Sequence, residues 1–184
     1  MAVEPPVRHV ALLRGINVGK NNRVPMATLR SLLEGLGYHE VRTHLNSGNA
    51  VFTVAGRQSP GTVAKKLEQS LLEETGLTLR VVVRSRDELA GVVDKNPFTA
   101  VADDPARLLV AFLSGPVPAG RLRDLDPDAF LPERFHVAGR EVYLWLPGGI
   151  QASLLAKTLS DQRLGVAATS RNWNTVTKLL ELAG

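Results

Sequence analysis

The order in which apolar segments change their period along the chain constrains its fold more than any single motif. An apolar run at Val10–Leu13 is followed by a Gly/Asn-rich stretch. Met26, Leu29, Leu32, Leu33 and Leu36 then recur at steps of three and four, the spacing of a one-faced helix opened by Pro25 and ended by Gly37. Two short extended segments, Glu40–Leu45 and Ala50–Val54, flank Asn46-Ser47-Gly48-Asn49, a hairpin signal because Gly and Asn tolerate positive φ. A second helix follows from the Ser59 N-cap to Gly76, with Val63, Leu67 and Leu71 inward. A fourth strand is expected at Leu77–Val83, then a short helix opened by the capping box Ser85-Arg86-Asp87-Glu88 and stopped before Asn96-Pro97-Phe98.

The same order then returns. Strands are expected at Arg107–Leu113, Arg134–Ala138, Glu141–Leu146 and Val166–Ser170. Helices are expected over Pro118–Leu125, Ile150–Leu159 and Asn172–Ala183. The repeat is one of pattern, without obvious residue identity between halves. A βαββαβ order is most economically satisfied by the ferredoxin-like split βαβ arrangement, an α+β fold with an antiparallel sheet and helices on one face. The expected division is therefore 1–98 and 99–184, with a C-terminal helix. Whether the halves build one sheet or two stays open at this level.

Topology also locates a candidate site. In a βαββαβ unit the first and second strands point to the same end of the sheet. The loop Arg14–Arg23 and the hairpin Asn46–Asn49 must therefore meet. The loop enters a helix N-terminus, where unpaired N–H groups and the dipole favour anions. Gly15 and Gly19 let backbone amides approach a phosphate or carboxylate. Arg14, Lys20 and Arg23 add charge, and Asn17, Asn46, Ser47 and Asn49 can orient a ligand by hydrogen bonds. The alternative is that these asparagines satisfy their own loop and the basic residues are only solvated. A second cluster, Thr169-Ser170-Arg171-Asn172-Trp173-Asn174-Thr175, supplies a helix cap in Asn172 or Asn174. Trp173 is there either a packing anchor or a stacking surface, and Arg171 serves either a ligand or a structural brace.

Charge and composition narrow the function classes. The net charge is +4. Residues 1–57 hold seven basic and three acidic residues, so the excess lies where the candidate loop lies. That permits an anionic small molecule, and nucleic acid more weakly. There is no cysteine, which removes disulfides, thiolate catalysis and thiolate metal sites. His9, His39, His44 and His136 lack metal-binding spacing, so neither a metal nor a cofactor is expected. The acidic loops around Asp103 and Asp124–Asp128 lack a calcium-loop pattern. Gly15-x-x-x-Gly19-Lys20-Asn21 is one residue short of a P-loop and has Asn21 where magnesium needs a hydroxyl. Ser47 has no nucleophile elbow around it, so no catalytic residue is assigned. Aromatic residues make up 5%, too few for an RNA-stacking sheet. No segment approaches a membrane span, and a cytoplasmic location without membrane association is expected.

Four segments carry a resemblance. They are Ala11-Leu12-Leu13-Arg14-Gly15-Ile16-Asn17-Val18-Gly19, Asn46-Ser47-Gly48-Asn49, Asn96-Pro97-Phe98 and Thr169-Ser170-Arg171-Asn172-Trp173-Asn174-Thr175. In that order they resemble a bacterial family catalogued as domain of unknown function 1697. The likeness covers nearly the whole chain and implies a duplicated ferredoxin-like arrangement, but no particular activity. Where members often carry Gly-Gly-Lys this chain has Gly19-Lys20, and where many carry Thr-Thr-Arg it has Thr169-Ser170-Arg171. Three readings follow: an anion- or nucleotide-like-ligand site carried mainly by the first half, a non-catalytic interaction module, or a weak nucleic-acid binder.

Overall fold

The computed structural model describes residues 5–184. It contains two four-stranded antiparallel sheets. The first is built from β1 (Val7–Leu13), β2 (His39–His44), β3 (Asn49–Val54) and β4 (Val81–Ser85) in the order β2-β3-β1-β4. The second comprises β5 (Leu108–Leu113), β6 (Arg134–Ala138), β7 (Glu141–Trp145) and β8 (Ala168–Asn172) in the equivalent order β6-β7-β5-β8. This is the ferredoxin-like strand order, formed twice. The α+β class expected from the pattern is the observed one, and the sheets are separate. By contact, one compact unit runs through Gly91 and includes Lys178–Gly184, and the other is Val92–Thr177.

In the first unit α1 (Met26–Gly35) and α2 (Pro60–Thr75) cover one face of the sheet. Leu29 and Leu33 of α1, and Val63, Leu67 and Leu71 of α2, are fully buried against Ala11, Leu13, Phe52 and Val83. The stops on α2 are those the sequence indicates: Ser59 Oγ accepts from Thr62 N, and Gly76 closes the helix at φ 71°. The capping box also forms in full. Glu88 N donates to Ser85 Oγ at 3.1 Å and Ser85 N to Glu88 Oε2 at 2.9 Å, opening α3 (Arg86–Asp94).

Several boundaries differ from expectation, each for a local reason. The fourth strand is Val81–Ser85, not Leu77–Val83. Its ladder partner β1 ends at Leu13, opposite Val81, and after the Arg14 N–Arg80 O bond the chain turns off at Gly15, φ 62°. Leu77 and Leu79 pack on the core as an extended segment with no strand beside them. In the second half no helix forms over Pro118–Leu125. Turns there press Val117, Leu122 and Leu125 onto the core instead, and a 3-10 turn follows at Pro127–Phe130. The expected Ile150–Leu159 helix is shorter, α4 (Leu154–Thr158), because Ser153 is its cap. A second short helix, α5 (Asp161–Leu164), follows. Finally β8 continues through Asn172 before α6 (Trp173–Ala183).

Register reveals what pattern alone concealed. Val10, Ala11 and Leu12 face Arg84, Val83 and Val82 on β4, as Val110, Ala111 and Phe112 face Arg171, Ser170 and Thr169 on β8. Superposing the ladders lays Val10-Ala11-Leu12-Leu13-Arg14-Gly15 on Val110-Ala111-Phe112-Leu113-Ser114-Gly115, identical at four positions. The halves therefore do share residue identity, along their central strands.

Candidate functional site

The loop after β1 and the hairpin after β2 come together at one end of the first sheet. Asn17 makes the junction. Its Nδ2 donates to Asn46 O at 2.7 Å and to Val24 O at 2.9 Å, while its Oδ1 accepts from Val24 N at 2.9 Å. Leu13 N donates to Gly48 O at 2.8 Å, and Arg14 N to Arg80 O at 3.0 Å. Three connections, β1–α1, β2–β3 and α2–β4, are thus stitched into one surface.

The backbone conformations explain the composition of these segments. Asn17 and Asn22 sit at φ 54° and 49°, and Gly15 and Gly19 both at 62°. Asparagine tolerates the left-handed region better than most residues, because its short side chain can bond the local backbone. Asn22 Nδ2 does this, donating to Gly15 O at 3.2 Å, and Asn17 N donates to Asn22 O at 3.1 Å. The hairpin turns through Leu45 (φ 59°) and Gly48 (φ 88°), so a leucine, and not an asparagine, takes the first left-handed position. Gly48 is buried against Ile16, a residue only 2% exposed. Asn49 is also buried, and its Nδ2 bonds His44 O at 2.8 Å and Ser47 Oγ at 3.0 Å.

The asparagine side-chain amides at 17, 22 and 49 therefore close the loops, whereas Arg14, Lys20, Arg23, Asn46, Ser47 and Arg80 are exposed on the same end. Helix α1 opens there as well. Its N-cap is Pro25, which offers no side-chain acceptor, so the first-turn N–H groups receive no side-chain cap.

The second cluster belongs to the second unit. Arg171 lies on β8 opposite Val110, at the end of its sheet away from Ser114 and Gly115, the counterparts of Arg14 and Gly15. It is 9% exposed, and burial lowers its guanidinium pKa to about 10. Its Nη1 donates to Thr169 Oγ1 at 2.8 Å and to Ser170 O at 2.9 Å. Asn172, rather than Asn174, caps α6: its Oδ1 accepts from Thr175 N at 3.0 Å. Trp173 is half-buried, and its backbone N–H donates to Pro105 O at 3.2 Å. Arg84, at the position of β4 equivalent to Arg171, is also buried, at 2% exposure. Sequence reading passed over it, although Arg84-Ser85 and Arg171-Asn172 both place an arginine just before the residue that caps the next helix.

Among the described residues there is no group of three or more His, Asp or Glu able to hold a metal. None of their helices is long and apolar enough to cross a membrane.

The fold is similar to that of a conserved bacterial protein from Streptococcus pneumoniae. The structures align with a TM-score of 0.71 at 23% identity, covering 98% of this chain and 100% of the other. No curated protein matches the chain. A family described as "Protein of unknown function (DUF1697)" matches residues 7–143, from the first residue of β1 to the middle of β7, and the chain belongs to that family.

Proposed function

We propose that the stitched end of the first sheet binds an anionic small molecule of the phosphate or nucleotide class. The observation that carries this reading is the cross-bonding of three connections by Asn17 and by the Leu13 and Arg14 amides, beneath four exposed basic residues, Arg14, Lys20, Arg23 and Arg80. A surface fixed before binding loses little conformational freedom when a ligand arrives. Clustered cations beside an α1 N-terminus without a side-chain cap favour negative charge. In this reading Arg14, Lys20 and the amides near Gly15 and Gly19 hold the charge, Asn46 and Ser47 orient the ligand, and Asn17 and Asn49 hold the loops in shape. Arg171, Asn172 and Trp173 support the second unit.

The test is calorimetric titration with pyrophosphate, ADP and ATP at low and physiological salt. Replacing Arg14, Lys20 and Arg23 together by alanine should weaken binding by about tenfold or more, the scale of a lost charged contact. Absence of binding across this panel, or binding indifferent to the triple change, would sink the proposal.

A second reading, a non-catalytic interaction module, draws on the fact that the amides of Asn17, Asn22 and Asn49 are engaged by backbone or by a neighbouring side chain. It is favoured if Asn17→Ala lowers the melting temperature while no anion binds. Nucleic-acid binding would instead show as gel shifts that fall steeply with salt.

A further inference from the structure

Helix α2 and the chain that leaves it enclose a pocket of about 370 Å³ in the first unit, lined by Lys65, Glu68, Gln69 and Leu72 of the helix and by Thr78, Leu79 and Arg80. The segment that leads into β4, the last strand of its sheet, runs extended past the helix with no strand on its outer side. Three bonds hold it in place. Leu77 N donates to Thr75 Oγ1 at 3.2 Å, Val81 N to Glu68 Oε1 at 2.9 Å, and Arg80 O accepts from Arg14 N at 3.0 Å. The wall of the pocket is therefore formed before any ligand arrives.

That wall carries polar groups without protein partners. Among the described residues no hydrogen bond reaches the main-chain N–H or C=O of Thr78 or Leu79, or the second carboxylate oxygen of Glu68. Main-chain groups alternate in direction along an extended chain. Arg80 O points to β1 and Val81 N to α2, so Leu79 N–H and C=O share the side of Val81 N and face the pocket. The Leu79 side chain is packed in the core, whereas Leu72 is 41% exposed and gives the pocket an apolar surface. A main-chain donor and acceptor side by side, next to apolar surface and a carboxylate oxygen, match the edge of a nucleobase, a flat ring with donors and acceptors in a row. An added peptide strand fits less well, because Glu68 already takes the outward amide of Val81 and closes the edge immediately beyond Leu79.

Arg80 joins this pocket to the stitched end of the sheet, since it lines the one and is exposed on the other. The net charge of +4 lies wholly in this unit: residues 1–91 and 178–184 hold thirteen Lys/Arg against nine Asp/Glu, and the other unit holds nine of each. Resting on the anion reading of the stitched end, we propose that its ligand is a nucleoside phosphate whose base enters this pocket. The base lies against Leu72 and the Leu79 main chain, an exocyclic amine donates to Glu68, and the phosphates lie on Arg80 and Arg14.

Calorimetric titration of the whole protein with pyrophosphate, ADP, GDP, CDP and UDP tests this, since UDP alone among the nucleotides lacks the exocyclic amine. At least one of the three amine-bearing diphosphates should bind about tenfold or more tighter than pyrophosphate. Two changes remove the pocket's share. Gln69→Trp fills it from an exposed position on α2, and Glu68→Gln keeps an oxygen for Val81 N while replacing the free acceptor. Each should abolish the advantage over pyrophosphate and leave pyrophosphate binding no weaker, with thermal melting confirming the fold. Equal affinities for all five anions, tightest binding of UDP, or nucleotide binding indifferent to both changes would overturn the pocket while leaving the anion surface standing. No binding by any of the five would remove the anion surface, and this inference with it.

Discussion

Replacing Gly48 by alanine probes the meeting of loop and hairpin more sharply than any change to a polar residue. The structure separates its cost into two parts. At φ 88° a Cβ clashes with its own backbone, which costs roughly 1–2 kcal/mol. The new carbon would also lie 2.7 Å from Ile16 Cδ1 and 2.8 Å from Leu13 Cβ. Neither neighbour can move cheaply, since Ile16 is 2% and Leu13 0% exposed. Forcing a methyl group into such packing adds about 1–3 kcal/mol, for a total of about 2–5 kcal/mol. Gly15→Ala and Gly19→Ala supply the control. Both glycines sit at φ 62°, yet a Cβ at either meets nothing within 4 Å, so only the backbone part, roughly 1–2 kcal/mol, should appear. Urea unfolding followed by far-UV circular dichroism, with m-values compared to confirm a common unfolded state, measures all three. For a chain of this size the extra loss should lower the melting temperature of Gly48→Ala several degrees below that of the controls. Equal losses at positions 48 and 15 would refute the argument that Ile16 locks the hairpin against the loop.

Two further outcomes follow from buried polar groups. His9 is 1% exposed and stacks on Phe52 with its Nδ1 at 3.1 Å from Val7 O; burial, the dominant cause, lowers its pKa below 6.5. The folded state thus resists protonation while the unfolded chain does not. Its contribution is whole above about pH 6.5, declines as pH falls toward the folded-state pKa, and should show as an acid-limb slope in stability that His9→Phe flattens. An unchanged slope would dismiss His9 as its source. Tyr143, 1% exposed, donates its hydroxyl to Val92 O at 2.6 Å in the last turn of α3, and burial, aided by Glu141, pushes its pKa to about 12. Tyr143→Phe strands that carbonyl and should cost about 1–3 kcal/mol in chemical denaturation; a cost near zero would mean the carbonyl finds another donor.

How far the sequence discloses this molecule depends on whether structure is set locally or by a neighbour. Helix α2 was legible at both ends because its signals, Ser59, Pro60 and Gly76, act within a few residues. The capping box at Ser85 was legible for the same reason. The meeting of the Arg14 loop with the Asn46 hairpin was legible because topology demands it. Strand β4 was misplaced because Leu77 and Leu79 alternate like a strand, whereas only the turn at Gly15 decides where β1 stops offering it a partner. Arg171 falls between the expected Val166–Ser170 strand and Asn172–Ala183 helix, open to a ligand or a bracing role, since Thr169-Ser170-Arg171-Asn172 has no apolar alternation. Its burial becomes visible only once β8 is paired to Leu109–Leu113. The donor that fastens the two loops, Asn17, was named among the candidates, but no spacing rule says whether an amide will turn toward a ligand or toward Val24 and Asn46.

The two halves also show how a repeated scaffold comes to carry different surfaces. Their central strands keep the same register, the same Val-Ala-x-Leu core and a buried arginine before each strand-to-helix cap. The Val-Ala-x-Leu positions lie on strands paired on both sides, so change there would break two ladders at once, and each arginine faces that strand's valine from the edge. Divergence is plain in the connection after the first strand of each half, and also in the helix after the third, where the sixteen residues of α2 give way to the short α4 and α5. In the first half the connection after the first strand holds a glycine- and asparagine-shaped loop, basic residues and a ten-residue helix that covers the sheet. In the second, Pro118, Gly120 and Pro127 interrupt any helix, and the short turns that replace it cover less of the face, leaving Leu131 and Leu154 at the surface on a groove of about 350 Å³. Restoring a helix-forming sequence between Ser114 and Leu131 should therefore bury those leucines and close the groove. If the groove stayed open to solvent in a crystal structure of such a variant, the missing helix would not be its cause.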